Sequence, residues 1–251
     1  MDRKVSFRNR RGLRLVGIIR GLRPNEDLPV VIFAHGLHSS KESPRNTEIA
    51  QGLAEAGLAA FLMDFTGHGE SEGREGDVTV EALAGDISSV IDFLGSAEGI
   101  NPERVGVCGS SLGGTAALVA AARDQRIKVL VLRSAPVEGY YALGEKIAIP
   151  TLIVQGEADP ILAESRELFR HLRGERRLEM ISGAGHLYER PEELGQAREA
   201  VVGWFRRWLV GEPEEALQDE LEAEASKRPK YEAKYKHGGA GRVRKPTGGR
   251  R

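Results

Sequence analysis

The stretch VGVCGSSLGG, residues 105–114, decides the fold of this 251-residue chain. Mostly apolar residues lead into two serines that stand between glycines, and the alanine-rich run TAALVAAA (115–122) follows. The apolar run has the length and composition of a buried strand, and the alanine-rich run is typical of a helix. We therefore expect a strand to pass directly into a helix here, through a turn that needs the backbone freedom of glycine.

The same alternation of strand and helix continues along the chain. Its apolar runs are continuous and rich in β-branched residues, as in parallel strands that are covered on both faces. Amphipathic segments of helical length separate these runs, which predicts a mostly parallel α/β sheet with helices on both faces and right-handed crossovers. The predicted strands are KVSF and LRLVGIIR (an N-terminal antiparallel hairpin), VVIFA (30–34), LAAFLMD (58–64), RVGVCG (104–109), KVLVLR (128–133), PTLIVQG (150–156) and RLEMIS (177–182), and the predicted helices are 46–56, 78–95, 112–122, 163–172 and 191–210.

Composition narrows the class of protein. Hydrophobic residues make up 40% of the chain and charged residues 29%, as in soluble globular proteins. The sequence contains no run of roughly 18 apolar residues and no secretory signal pattern, so we expect no membrane span. A single cysteine, Cys108, excludes an intrachain disulfide and fits a reducing, cytoplasmic location. The histidines are scattered and CxxC pairs are absent, so we expect neither a metal nor a cofactor.

The charge is unevenly distributed. Residues 226–251 hold ten Lys/Arg and one acid, Glu232, whereas the rest of the chain holds 26 basic and 36 acidic residues. This segment has almost no aliphatic residues to bury, which predicts a catalytic domain over 1–211 and an acidic-then-basic, largely disordered tail over 212–251. The basic part of the tail is a candidate contact for nucleic acid or another acidic surface.

The G-x-S-x-G spacing of residues 109–113 predicts a nucleophile elbow with Ser111 at its centre. Such a turn lifts the serine hydroxyl above the edge of the sheet. The helix that follows directs its free N–H groups toward any negative charge that develops there, and the Leu112 N–H is the first expected oxyanion donor. Ser110 occupies the variable position and is expected to be supporting or inert.

A serine nucleophile needs a base and an acid that orients the base. His186, in the loop ISGAGHLYERP, is the histidine that follows both the serine and a suitable acid in the chain. Asp159, in GEADPI at the end of a predicted strand, is the expected acid. Glu157 and Glu138 remain alternatives if Asp159 only caps the next helix.

The loop FAHGLHSSKES after the strand 30–34 is expected to supply the second oxyanion donor. Its Gly36 bends the chain inward, so the Leu37 N–H is the predicted donor. The side chain of His35 is expected to hold this loop by hydrogen bonds, and His38 is a candidate substrate contact or a solvated loop residue.

The motifs HGLHSS, DFTGHGESEG (64–73), GSSLGG, GEADPI and GAGH together resemble the serine esterases of the α/β-hydrolase superfamily. Their order and spacing are similar to the dienelactone-hydrolase-like and serine-aminopeptidase-like branches over roughly residues 5–210. The resemblance implies an eight-stranded α/β-hydrolase fold. Dienelactone hydrolases use a cysteine nucleophile where this chain has Ser111, and DFTGHGESEG is interpreted as scaffold.

The resemblance implies an esterase that cleaves carboxylic esters through an acyl-enzyme, with a thioesterase or a peptidase as alternatives that use the same triad. In this fold the lid is usually inserted after the sixth strand, where this chain offers only residues 134–149. We therefore expect a nearly lidless site for small or accessible esters. Tyr140 and Tyr141 are expected either to form one wall of it or to cover the end of the sheet.

Overall fold

The computed structural model describes residues 1–212, except for the side chain of Asp77. Eight strands form one sheet in the order β1-β2-β4-β3-β5-β6-β7-β8. The first strand pairs antiparallel with the second and the second antiparallel with the fourth, and all remaining neighbours are parallel. The strands are β1 (Arg3–Arg8), β2 (Arg14–Arg20), β3 (Leu28–Ala34), β4 (Ala59–Asp64), β5 (Ile100–Ser110), β6 (Ile127–Arg133), β7 (Thr151–Gly156) and β8 (Arg176–Ile181).

Five α-helices cover the two faces of this sheet. They are α1 (Pro44–Glu55), α2 (Val80–Leu94), α3 (Leu112–Ala121), α4 (Leu162–His171) and α5 (Pro191–Phe205). One apolar core joins the sheet to α2 and α3, and a second joins its other face to α1 and α5. Strands β3, β4 and β7 are buried along their whole length, which explains why their sequences are continuously apolar rather than alternating.

The predicted fold class is confirmed, since the sheet is mostly parallel, has eight strands and begins with an antiparallel hairpin. Two boundaries differ from the prediction. β5 begins at Ile100, where it pairs with Leu28 across a shift in register. The last helix does not continue regularly to residue 210, because α5 ends at Phe205 and a π-helical turn, Arg206–Val210, follows it.

Gly211, with a left-handed φ of 87°, caps the π-helical turn where the body was predicted to end. The predicted tail lies outside the described residues apart from Glu212. Within residues 1–212, no helix is both long and apolar enough to cross a membrane.

Candidate active site

Ser111 lies between the end of β5 and the start of α3 in an unusual backbone conformation. Its φ is 50° and its ψ is −128°, a region that a residue with a side chain adopts only under strain. The Ser111 N–H donates to the Arg133 carbonyl at 2.9 Å, which fixes the turn to the neighbouring strand. Both glycines of the motif are needed for packing: a Cβ on Gly109 would lie 2.5 Å from the Gly113 oxygen, and a Cβ on Gly113 would overlap the carbonyls of Ala34 and His35.

The structure brings Ser111, His186 and Asp159 together although they are far apart in the chain. The His186 Nε2 lies 3.1 Å from the Ser111 hydroxyl, and its Nδ1 lies 2.9 Å from Asp159 Oδ2. A neutral imidazole in this position donates its Nδ1–H to the carboxylate and accepts the serine proton at Nε2. The three side chains thus form a continuous hydrogen-bonded relay at the carboxyl edge of the sheet.

Asp159 is the buried member of this relay, with only 1% of its side chain exposed. Its Oδ2 also accepts from Gln155 Nε2 at 2.7 Å, and Gln155 in turn accepts from the Ser165 hydroxyl at 2.6 Å. The geometry assigns the contact with the imidazole to Asp159, because Glu157 instead accepts from the Ser182 hydroxyl at 3.0 Å. Glu138, the other alternative acid, is exposed.

The loop after β3 lies directly against the nucleophile. A Cβ built on Gly36 would be 3.2 Å from the Ser111 Cβ, so the backbone of this loop approaches the serine as closely as packing permits. Within residues 1–212, neither the Leu37 N–H nor the Leu112 N–H has a hydrogen-bond acceptor. Two such amides beside the nucleophile are what an oxyanion hole requires.

His35 holds this loop as a neutral base. Its Nδ1 donates to the Gly36 carbonyl at 2.8 Å, and its Nε2 accepts the Phe65 N–H at 3.2 Å. Burial disfavours the charged ring and lowers the pKa of His35 from 6.5 to about 4. The two bonds join the loop after β3 to the loop after β4, which fits a positioning role.

Glu75 makes a second connection between the same two loops. Its Oε1 lies 2.7 Å from His38 Nδ1 and 3.2 Å from His68 Nε2. Burial raises the pKa of Glu75, but the His38 N–H and the two nearby rings outweigh that effect and leave the pKa below its usual value. His38 has 78% of its side chain exposed and belongs to the lining of the cavity described next.

A cavity of about 290 Å³ opens beside Ser111. It is lined by residues of two segments, 36–46 and 186–188, together with Ser110, Ser111 and Arg133. Leu37 and Leu187, which are 53% and 44% exposed, give it an apolar rim. Such an exposed rim suits the apolar part of a small ligand.

Tyr140 and Tyr141 do not line this cavity, so the predicted tyrosine wall is not found there. The segment between β6 and β7 holds one short 3-10 helix, Tyr141–Lys146, which contacts α3 and α4, whereas the cavity adjoins the start of α1. The Tyr141 ring stacks on His171 with centroids 6.2 Å apart, and both tyrosines pack against the α2/α3 core. Their packing against this core is compatible with the other expectation, that they cover the end of the sheet.

Several polar residues that complete the site carry no motif by which they could be predicted. Gln155 and Ser165 hold Asp159, and Tyr188 fixes the histidine loop by donating to the Val154 carbonyl at 2.9 Å. Gln155 and Ser165 stand ten residues apart, so only the packing of α4 on β7 joins them. Arg133 is a buried part of the lining of the cavity.

Comparison with known proteins agrees with this architecture. Residues 26–143 match the family model described as serine aminopeptidase S33. A dienelactone hydrolase structure from Anabaena variabilis is 30% identical, with a TM-score of 0.73, and the match covers 83% of this chain and 98% of that one. The chain belongs to the α/β-hydrolase superfamily.

Two further proteins, one solved structure and one sequence relative, are similar to this α/β hydrolase. The structure of Est1E from Butyrivibrio proteoclasticus with ferulic acid bound has a TM-score of 0.74 at 20% identity, covering 83% of this chain and all of that one, and supports the fold alone. A putative phosphoribosyl transferase from Mycobacterium tuberculosis is 34% identical over 192 residues, which is 75% of this chain. The chain spans only 43% of that relative's length.

Proposed function

We propose that the protein is a serine hydrolase that cleaves carboxylic esters, with Ser111 as nucleophile, His186 as general base and Asp159 as the orienting acid. The observation that carries the proposal is the unbroken hydrogen-bonded relay from Ser111 through His186 to Asp159, with the serine on a strained strand-to-helix turn. A structural serine has no need of strained backbone or of a buried acid behind its partner.

The geometry supports the following sequence of steps. His186 Nε2 takes the Ser111 proton as Oγ attacks the ester carbonyl, and the Leu37 and Leu112 N–H groups receive the resulting oxyanion. Asp159 stabilises the imidazolium that forms. His186 then protonates the leaving alcohol, and a water molecule activated by the same ring releases the acid from Ser111.

Solved structures of the same fold support an ester as the substrate, and the shape of the site bears on its size. Solved structures that share the fold include a dienelactone hydrolase and several esterases. The segment between β6 and β7 supplies only the 3-10 helix Tyr141–Lys146, and half-exposed Leu37 and Leu187 flank the cavity. These features suit small or accessible esters.

The test is turnover of short p-nitrophenyl esters by the wild type and by Ser111→Ala. We expect the variant to lose on the order of 10⁴-fold or more in kcat, because it lacks the attacking oxygen. Ser110→Ala is the matched control and is expected to lose less than about tenfold. Equal rates for Ser111→Ala and wild type would refute the proposal, and a comparison of kcat/KM for matched ester, thioester and amide substrates separates esterase from thioesterase or peptidase.

Two further predictions depend on features outside the site. We propose that the enzyme works in the cytoplasm, since its one cysteine, Cys108, is buried and unpaired.

Attraction of residues 226–251 to nucleic acid or an acidic surface stays a prediction. Removing residues 212–251 is expected to abolish salt-sensitive nucleic-acid binding and to leave ester hydrolysis intact, and binding that survives the truncation would contradict it.

A further inference from the structure

The cavity beside Ser111 is electrostatically one-sided. Its lining, as far as residues 1–212 form it, includes the two arginines Arg45 and Arg133 and no aspartate or glutamate. We propose that the substrate is an ester whose acyl part ends in a carboxylate, and that Arg133 binds this carboxylate. That the ligand is an ester depends on the proposed function, whereas binding of its carboxylate by Arg133 does not.

Arg133 is a buried cation that has no counter-charge among residues 1–212. It is 1% exposed, and within residues 1–212 no carboxylate oxygen lies within 4.0 Å of its guanidinium. Its Nη2 donates to the Asn46 side-chain oxygen, and its Nε has no acceptor. A buried charge without a counter-ion is costly and is normally paired, so an anion that enters the cavity would supply the missing partner.

The position of Arg133 relates this charge to the reacting serine. Arg133 is the last residue of β6 and pairs with Ser110 in the parallel register, and its carbonyl accepts the Ser111 N–H at 2.9 Å. Its side chain packs on the face of the sheet that α1 covers, where it meets Asn46. Arg133 and Ser111 line the same cavity of about 290 Å³, so one short dicarboxylic half-ester could place its carboxylate at Arg133 and its ester carbonyl at Ser111.

Helix α1 adds to the positive potential at the same place. Its N-terminus begins beside the cavity, its first turn contains no acidic residue, and the N-cap Ser43 makes no side-chain capping bond. The free N–H groups and the dipole of this 12-residue helix favour an anion there. Arg45 belongs to this turn and is partly exposed, so its charge acts from nearer to solvent.

The experiment measures binding in the Ser111→Ala protein, so that no turnover is needed. Calorimetric or NMR titration compares monoethyl glutarate with ethyl glutaramate, which replaces the carboxylate by an uncharged amide of the same shape. We expect the monoester to bind about 10- to 100-fold more tightly, the range typical of a charged hydrogen bond. Equal affinity for the two compounds would overturn the proposal.

Variants assign the charge to its residue. Adding Arg133→Gln to the Ser111→Ala protein is expected to remove the preference for the monoester, and adding Arg45→Gln is expected to lower it by no more than about threefold, because partly exposed charges are screened. A preference that survives Arg133→Gln, or that is lost only with Arg45→Gln, would overturn the assignment. Inorganic phosphate at millimolar concentration is expected not to displace the monoester, and displacement would reveal a general anion site instead.

Thermal melting distinguishes a ligand-binding arginine from one that holds the fold. Arg133→Gln and Arg133→Met are expected to melt cooperatively near the parent temperature. Collapse of both variants would show that Arg133 is structural and would also overturn the proposal. If the monoester binds more tightly than the amide but the wild type does not hydrolyse it, the proposed function fails while this inference stands. If the wild type hydrolyses esters but binds the monoester and the amide equally, this inference fails while the proposed function stands.

Discussion

Two buried cations near the carboxyl edge of the sheet differ in the partners that surround them. Lys41 has 3% of its side chain exposed, and its Nζ lies 2.7 Å from both Asp64 Oδ2 and Glu70 Oε1. Arg133 is 1% exposed and donates to the neutral Asn46 side chain, and no carboxylate pairs with it among the residues described. Within residues 1–212, Lys41 therefore belongs to an ion-pair network, whereas Arg133 has no carboxylate partner.

The two cations therefore differ in role at this edge of the sheet: Lys41 supports the scaffold, whereas Arg133 is proposed to bind substrate. Burial lowers the pKa of Lys41, but hydrogen bonds to Asp64 and Glu70 outweigh it and leave the pKa above its usual value. Hydrogen bonds from Lys4 and Lys41 lower the pKa of Glu70 to about 2. The Lys41 network therefore joins the loop after β3 to the segment after β4, whereas Arg133 belongs to the lining of the cavity.

The largest effect on the free energy of unfolding is expected when Lys41 is removed. Lys41→Met leaves the fully buried Asp64 carboxylate without its cation and is expected to lower the free energy of unfolding by about 3–5 kcal/mol in urea titrations. Lys4→Met is the matched control, because Lys4 bonds the same Glu70 from the surface at 2.6 Å with 59% of its side chain exposed. The control is expected to lose less than about 1 kcal/mol, and equal losses would show that burial of the pair does not matter.

His35 extends the comparison to a buried base that carries no charge. Its folded pKa of about 4 lies below the ordinary 6.5, so the unfolded chain binds a proton that the folded one excludes between these pH values. Its contribution to stability is complete above pH 6.5 and falls by roughly 3 kcal/mol as the pH drops to 4. Urea unfolding at several pH values is expected to show a shallower acid loss for His35→Asn than for wild type, and parallel curves would contradict it.

Arg133 should respond less than Lys41 to the same change. Arg133→Met removes an unpaired cation and one hydrogen bond to Asn46, so the two effects on folding oppose each other. We expect the free energy of unfolding to change by less than about 2 kcal/mol, measured in the same urea titrations. A loss as large as that of Lys41→Met would make the two cations equivalent and remove the distinction.

The smallest effect is expected at Glu75, which joins the exposed His38 to the buried His68. Glu75→Gln keeps an acceptor for the His38 N–H and removes only a partly exposed charge. The expected change in the free energy of unfolding is below about 1 kcal/mol. A larger loss would show that this link, rather than the Lys41 network, holds the two loops together.

Much of the sheet could be predicted because its strands are buried on both faces. A continuous apolar run such as PTLIVQG has few other places in a folded protein, and β7 (Thr151–Gly156) matches it within one residue. The start of β5 could not be predicted, because the polar residues and Pro102 that precede its apolar part do not look like a strand. Pairing with Leu28 across a register shift, a tertiary effect, extends the strand to Ile100.

The candidate site shows the same limit. Chain order and turn motifs identify Ser111, His186 and Asp159, because each follows the carboxyl end of a strand and those ends meet at one edge. Whether Glu157 or Asp159 faces the ring depends on side-chain direction within one loop, which a motif does not specify. The partner of Arg133, Asn46, comes from a helix 87 residues away in the chain, so its state depends on packing alone.

The backbone of Ser111 has a consequence for how this enzyme evolves. Its φ of 50° suits glycine better than serine, so Ser111→Gly relieves strain while it removes the nucleophile. Selection for heat resistance alone, with no demand for turnover, would therefore favour glycine at this position. A screen for more thermostable variants of this enzyme must therefore measure activity in every round. Without that measurement it selects for loss of the residue on which activity is proposed to depend.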